Sequence, residues 1–420
     1  MKQNWYRLDN AGKIFPMVKS KFDTSSFRLA CVFKEDVDLD LLLKALNTAL
    51  TIFPSFKVKI KQGFFWYYLE HNDLPPVLFK ESPYLCQAKR TKEQNDYLFK
   101  LCYYGRRISM EFYHAVSDGT GGLELFKAVI YHYLLLKGVV FKNHDCILTE
   151  EVEELYDETQ DAFVFNYNKN IKKYPADTKA YIIKGFTYKS YFMGAIYLVC
   201  DESTVKIAAQ KYGATIGQYI AALIVYGVYE EFWKKDARLD KRPIRLFLPV
   251  NIRRFFNSQT LRNFALFIRT TQDFSGDVTF VDVIKHLKQQ FEQELTREKI
   301  EARLAQNMNF EKNPFIRLCP LFLKKPVAKA VYKLVSSNVS TISLSNLGRI
   351  EVPDEFKDYI DRFEFVIPVS ATCPANGACI SFNNKLVLTL TNRIIERKLQ
   401  TFIVRHMIRD GVDLVVENND

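Results

Sequence analysis

An α+β fold built from two halves is predicted by three observations. The order strand–helix–strands–helix occurs early and a similar mixture returns later, without the regular alternation of a parallel sheet. A polar stretch at 143–180, rich in Asp, Glu, Lys and Asn and containing Pro175, separates the two runs. The 420 residues are enough for two or three units of ordinary domain size. The expectation is therefore an N-terminal unit, 1–175, and a C-terminal unit, 176–420.

The elements follow in order. Residues 26–34 (SFRLACVFK) read as a strand. Leu39, Leu42, Leu43, Leu46, Ala49 and Leu50 recur at helical spacing over 37–53, acidic residues suit the start, and Pro54 ends the run. Residues 56–60 and 64–70 read as strands joined at Gln62-Gly63, and 97–104 with 107–113 as a hairpin around Gly105-Arg106. An apolar run from Leu123 to Leu136 reads as a helix. The second half opens with a strand at 189–199, a helix at 203–212 capped by Ser203, and a long helix from Ala214 to Trp233. A strand at 244–250 follows, then helices at 279–305 and 326–336. Strands at 339–345, 363–369, 378–383 and 386–391 and a helix near 396–409 complete the chain.

Composition narrows the function. Apolar residues are 48% and charged residues 25%, which is globular rather than disordered. Basic side chains number 59 against 48 acidic ones, a net charge of +11. That excess suits a coenzyme phosphate, an acidic carrier protein or a membrane surface, or it serves solubility alone. No nucleic-acid-binding module is present in the sequence. The eight cysteines include no CxxC pair, so neither zinc nor an iron–sulfur cluster is expected. No stretch approaches a membrane span and no secretory signal opens the chain, so a cytoplasmic protein with reduced thiols is expected.

One segment carries chemistry: His114-Ala115-Val116-Ser117-Asp118-Gly119. A histidine at the end of a strand projects its imidazole into a cleft, and an ordinary pKa near ~6.5 lets it take a proton at neutral pH. Asp118 either bonds that imidazole or holds the loop by pairing with a distant cation. Gly119 either permits a sharp turn or lets substrate approach closely. The remaining histidines, 71, 132, 144, 286 and 406, have no such neighbours. Cys373 and Cys379 lie close in sequence, but no accompanying motif supports a nucleophile.

The segment resembles the HxxxDG motif of the chloramphenicol acetyltransferase-like acyltransferases. Trp5-Tyr6-Arg7-Leu8-Asp9 is similar to the start of the alcohol acetyltransferase branch. Pro249-Val250-Asn251-Ile252-Arg253 with Leu261-Arg262-Asn263-Phe264, and Ser345-Asn346-Leu347-Gly348, resemble two later segments of that branch. Tyr113 stands where condensation domains carry a second histidine, and the DFGWG string of the plant enzymes is missing. The resemblance implies two chloramphenicol acetyltransferase-like lobes, a pseudo-dimer, with an active-site tunnel at their interface. It implies His114 as general base, Asp118 as a structural residue paired with Arg253 (or the adjacent Arg254), and Gly119 beside them. Ser345 and Asn346 become candidates for oxyanion or substrate contact. No metal and no permanently bound cofactor are implied. Acyl-CoA would be the co-substrate and a small-molecule alcohol the acceptor. Transfer from an acyl carrier protein or to an amine, and a non-catalytic binding protein of the same fold, are the alternatives.

The segment from Lys312 to Lys333 mixes Lys324, Lys325, Lys329 and Lys333 with Phe322, Leu323, Val327 and Val331. It reads as a helix packed on its own domain, as a peripheral membrane contact, or as a face toward a coenzyme phosphate.

Overall fold

The computed structural model describes residues 5–20, 24–87, 91–149, 161–169, 171, 178–189, 192–237, 242–274, 276–335 and 338–419. The expected boundary at 175/176 and about half of the polar stretch lie outside them. Where that stretch is described it is not all linker: residues 162–165 form a helical turn, and Ala180 N donates to Asn338 O.

Three sheets organise the chain. The first small one joins β1 (Trp5–Arg7), β3 (Val58–Gln62) and β4 (Tyr67–His71) in the order β1-β4-β3. The second contains β2 (Ser26–Phe33), β5 (Leu78–Lys80), β6 (Phe99–Tyr104) and β7 (Arg107–Tyr113). Its outer strand next to β2 is β12 (Ile360–Val366), which pairs antiparallel from Phe33↔Ile360 to Arg28↔Val366. The third has seven strands in the order β10-β9-β11-β13-β14-β8-β15. These are β8 (Gly194–Asp201), β9 (Ile244–Asn251), β10 (Ala265–Gln272), β11 (Ile342–Arg349), β13 (Ala375–Phe382), β14 (Lys385–Asn392) and β15 (Leu414–Asn418).

Helices cover these sheets. Leu39–Ile52 (α2, after the single turn α1 at Phe15–Val18) buries Leu42, Ala45, Leu46, Ala49 and Leu50. Asp38 caps it by accepting from Asp40 N and Leu41 N. Gly119–Leu136 (α3) packs beside it and is buried along most of its length. In the second half, the cap of the helix Glu202–Lys211 is Asp201 rather than Ser203. Both residue types cap well, but Asp201 sits at the last strand position and accepts from Ser203 N and Thr204 N. Ile216–Val228 carries a capping box, Thr215 with Gln218. The helix expected over 279–305 is two: Phe280–Glu294 and Arg297–Lys312.

The sheets share an interior. Buried residues of β2 and β7 pack in one cluster with Tyr197, Ile380 and Val387 of the seven-stranded sheet. Charges also cross it. Arg107 on β7 pairs with buried Glu364 on β12 at 3.2 Å, and Arg362 on β12 reaches Glu417 on β15 at 2.6 Å. Glu364 is buried and pairs with Arg362 as well, so parting these strands would take one partner from its charge in the interior. No helix among the described residues is long and apolar enough to cross a membrane.

Candidate active site

β7 ends at Tyr113, and the next residue leaves the sheet. His114 N still donates to Ser25 O at 2.9 Å, while Val116 N donates back to Tyr113 O at 3.0 Å. The chain therefore turns within three residues, which brings Asp118 to the head of α3 as its N-cap. Ser117 fixes this turn from the other half of the chain by donating to Leu261 O at 2.6 Å. The fit is close. A Cβ on Gly121 would lie 2.1 Å from Leu261 O, and one on Gly122 would lie 2.8 Å from the Phe27 ring, so the Gly-rich start of α3 is a packing requirement.

Asp118 is buried and fully engaged. Arg253 holds it with two bonds, Nη1 to Oδ2 at 2.9 Å and Nη2 to Oδ1 at 3.1 Å. Gly121 N donates to Oδ1 at 3.1 Å and Phe264 N to Oδ2 at 2.8 Å. The guanidinium is itself anchored, donating to Thr260 O at 2.8 Å and Arg262 O at 2.6 Å. A carboxylate with four donors, two of them from one guanidinium, is well compensated for burial. Arg254 takes a different place, over the Phe255 ring at 5.0 Å. Asp118 is thus turned away from the imidazole four residues earlier.

His114 is half-buried and has a different environment. Its ring stacks on Phe15 of α1 at 5.0 Å and 25°, and lies against Phe27 of β2 at 4.8 Å. Nδ1 is 3.5 Å from Asn263 Oδ1, at the outer limit of a hydrogen bond. The orientation of that amide is set by its other end. Asn263 Nδ2 donates to His114 O at 2.8 Å and to Asp9 Oδ2 at 3.0 Å, which leaves Oδ1 facing the ring. An oxygen opposite Nδ1 favours a proton there and a lone pair on Nε2. Asp9 is wholly buried. Burial pushes its carboxyl up, while the bonds from Asn263 and Gly12 and the charge of Arg262 pull the other way.

Gly119 does not serve a sharp turn. It is the first residue of α3, and its φ is not in the left-handed region. A Cβ there would lie 3.2 Å from Leu347 Cδ2, so its role is close approach, to β11. Ser345 and Asn346 lie on that same strand, one and two residues before Leu347. Asn346 Oδ1 accepts from Gly348 N at 2.8 Å, where φ is +73°, and so shapes the bulge at the strand end. Burial pushes the Cys373 thiol up to about 11 and the Cys379 thiol up to about 12, which keeps both protonated near neutrality. No group of His, Cys, Asp and Glu suited to a metal ion occurs among the described residues.

Sequence reasoning singled out His114 and Arg253 but gave no role to Asp9, Phe15, Phe27 or Asn263. The signal for two of them was present. Asp9 ends Trp5–Asp9 and Asn263 lies in Leu261–Phe264, the two segments that carried the family resemblance. They meet at His114.

No family model matches the chain, and no curated protein does. Solved structures do match. TRI101 of F. sporotrichioides, complexed with coenzyme A and T-2, has a TM-score of 0.65 at 11% identity and covers 98% of this chain and 100% of that one. TRI3 trichothecene 15-O-acetyltransferase of Fusarium sporotrichioides has a TM-score of 0.57 at 12% identity, covering 97% and 95%. The first condensation domain of the CDA synthetase has 0.56 at 12%, covering 98% and 99%. The chain has the chloramphenicol acetyltransferase-like fold. Within that fold, β12 is the element that crosses from the second half of the chain into the first half's sheet, and Arg253 and Asn263 are the side chains that reach across to the His114 turn.

Proposed function

We propose that this chain is an acyltransferase that moves an acyl group, most simply acetyl, from acyl-CoA to an alcohol, with His114 as general base. One observation carries the reading. A half-buried imidazole stands at a strand end with Nδ1 facing a fixed amide oxygen, while the neighbouring carboxylate is wholly occupied elsewhere. In this reading Nε2 is the proton acceptor.

The chemistry then runs in two steps. Nε2 takes the hydroxyl proton as the alcohol oxygen attacks the thioester carbon, forming the new C–O bond and an oxyanion. The oxyanion collapses, the C–S bond breaks, and the sulfur leaves with the proton carried on the imidazolium. The products are an ester and free coenzyme A thiol. Proton transfer by one base is worth roughly 10²–10⁴-fold, and orientation and oxyanion stabilisation supply the rest. Ser345, Asn346 and the backbone amides at Gly119 are the proposed donors for the oxyanion or for substrate. Asp118 and Arg253 hold the turn and take no proton.

Two features of the neighbours support the donor and acceptor. TRI101 was crystallised with coenzyme A beside a small molecule, and TRI3 is by name an O-acetyltransferase. The condensation-domain likeness favours a second reading, transfer from an acyl carrier protein or to an amine. The division into lobes at 175/176, meeting at a tunnel that contains His114, belongs to the same proposal. A thiol-release assay with acetyl-CoA and a panel of alcohols tests it. Alcohol-dependent release of free thiol is expected. Release only from an acyl carrier protein would favour the second reading, and no release from either donor would reject enzymatic transfer.

A further inference from the structure

After α3 the longer helical elements are α4 (Glu202–Lys211), α5 (Ile216–Val228), α6 (the π turn Tyr229–Trp233), α7 (Phe280–Glu294), α8 (Arg297–Lys312), α9 (Pro314–Leu318) and α10 (Leu321–Val335). One face of α10 is used by the fold. Leu321 is buried with Met17 and Val18 of α1, and Ala328 packs on the same cluster. Lys324 bends back, its Nζ donating to Phe65 O at 2.9 Å and lying 3.4 Å from the centre of the Trp66 ring. Burial lowers its pKa. Lys324 therefore clamps α10 to the β3–β4 turn instead of facing a coenzyme phosphate.

Away from that face, α9 and α10 carry apolar side chains that the fold leaves exposed. Phe315 is 87% exposed, Leu318 73%, Phe322 66% and Val327 60%. The β3–β4 turn continues the surface. Phe64 is 68% exposed, and its carbonyl accepts from Leu321 N at 2.8 Å, so the turn and the start of α10 lie side by side. Single exposed apolar residues are common, but several exposed aromatic and aliphatic side chains on adjoining elements mark a contact surface.

We propose that this face docks on an anionic lipid bilayer. Charge selects that occupant. From Pro314 to Val335 the sequence contains five basic residues and no Asp or Glu. Arg317 and Lys329 are exposed beside the apolar group. Basic residues bordering aromatic and aliphatic ones suit the headgroup boundary, where rings enter the apolar layer and cations meet lipid phosphates. A second copy of the chain would bring like charges together. The location also matters, given the acyl transfer proposed above. α10 packs on α1, and Phe15 of α1 stacks on His114. A bilayer held on α10 would thus meet the element that carries the Phe15 ring against His114, on the side from which a membrane-dissolved, lipophilic alcohol could enter.

Flotation with vesicles tests the docking independently of catalysis. The wild-type chain is expected to float with vesicles of 70% phosphatidylcholine and 30% phosphatidylglycerol, and at least about tenfold less with phosphatidylcholine alone. The combined change Phe64→Ser, Phe315→Ser and Phe322→Ser is expected to reduce flotation at least about tenfold while thiol release with a water-soluble alcohol stays at the wild-type rate. Phe322→Trp, made singly, is expected to show a blue-shifted emission on adding the anionic vesicles. No flotation of the wild type, equal flotation of the triple variant, or an unshifted Phe322→Trp emission would overturn the proposal. So would a wild-type dimer that the triple change dissolves, since the face would then bind a second copy. His114→Ala is expected to float like the wild type, so a failure of the acyl-transfer reading leaves this result separate.

Discussion

Asp118 follows His114 by four positions, and their surroundings are opposite. Asp118 accepts four hydrogen bonds in a buried site, two from Arg253. His114 has aromatic rings against it and a long contact from Nδ1 to Asn263. A group with every acceptor position in use is a structural joint. The imidazole, stacked on rings and facing the Asn263 amide oxygen, is the group proposed for proton transfer. The support beneath the two differs in the same sense. The Asp118 carboxylate has a guanidinium, whereas beside His114 the buried Asp9, bonded to Asn263, has its carboxyl raised by burial.

This contrast is sharpened or broken by substitutions with different expected sizes. Asp118→Ala leaves Arg253 without its carboxylate, and removal of one partner of a buried pair costs about 3–5 kcal/mol. The expected result is a large fall in melting temperature with activity lost in proportion to the folded fraction. Full inactivity at an unchanged melting temperature would make Asp118 a direct participant instead.

A smaller effect is expected from Asp161. Burial, and then the charge of Asp9, push its carboxyl up to about 6 from an ordinary 3.8. Between those values the folded chain holds more protons than the unfolded one, so stability falls as pH rises through that window, by at most about 3 kcal/mol. Asp161→Asn is expected to flatten the melting temperature between pH 4 and 6. An unaltered slope would remove Asp161 from the account.

Asn263→Ala has the smallest expected effect. It removes the oxygen facing Nδ1, which aligns the ring without taking part in bond making. A fall in kcat of about tenfold, with KM unchanged, is expected from losing such a positioning bond. An equal rise in KM would place Asn263 in substrate binding.

Much of this architecture was legible in the chain, for identifiable reasons. The strands at 26–33 and 107–113 and the helix at 39–52 have periodic apolar residues and clear stops. The Asp118–Arg253 geometry was suggested by motif position alone, because 135 residues separate the two. β12 read as a strand, but nothing local says that its partner is β2, more than 300 residues earlier. Pairing of that kind is set by tertiary burial and by ion pairs such as Arg107 with Glu364. β10 was overlooked although its burial alternates strictly, with Leu266, Ile268, Thr270 and Gln272 inward. The polar Thr270 and Gln272 obscure that alternation. The break in 279–305 falls at Leu295-Thr296, between two runs that share a helical period. Phe15 was not recognisable as a neighbour of His114, since a single helical turn containing Pro16 gives no periodic signal.

His114, and not Asp118, is proposed to supply the base. This is tested most directly by thiol release from acetyl-CoA, measured on His114→Ala beside its melting temperature. A rate roughly 10²–10⁴-fold below wild type, at an unchanged melting temperature, is predicted. Release as fast as wild type would contradict the assignment.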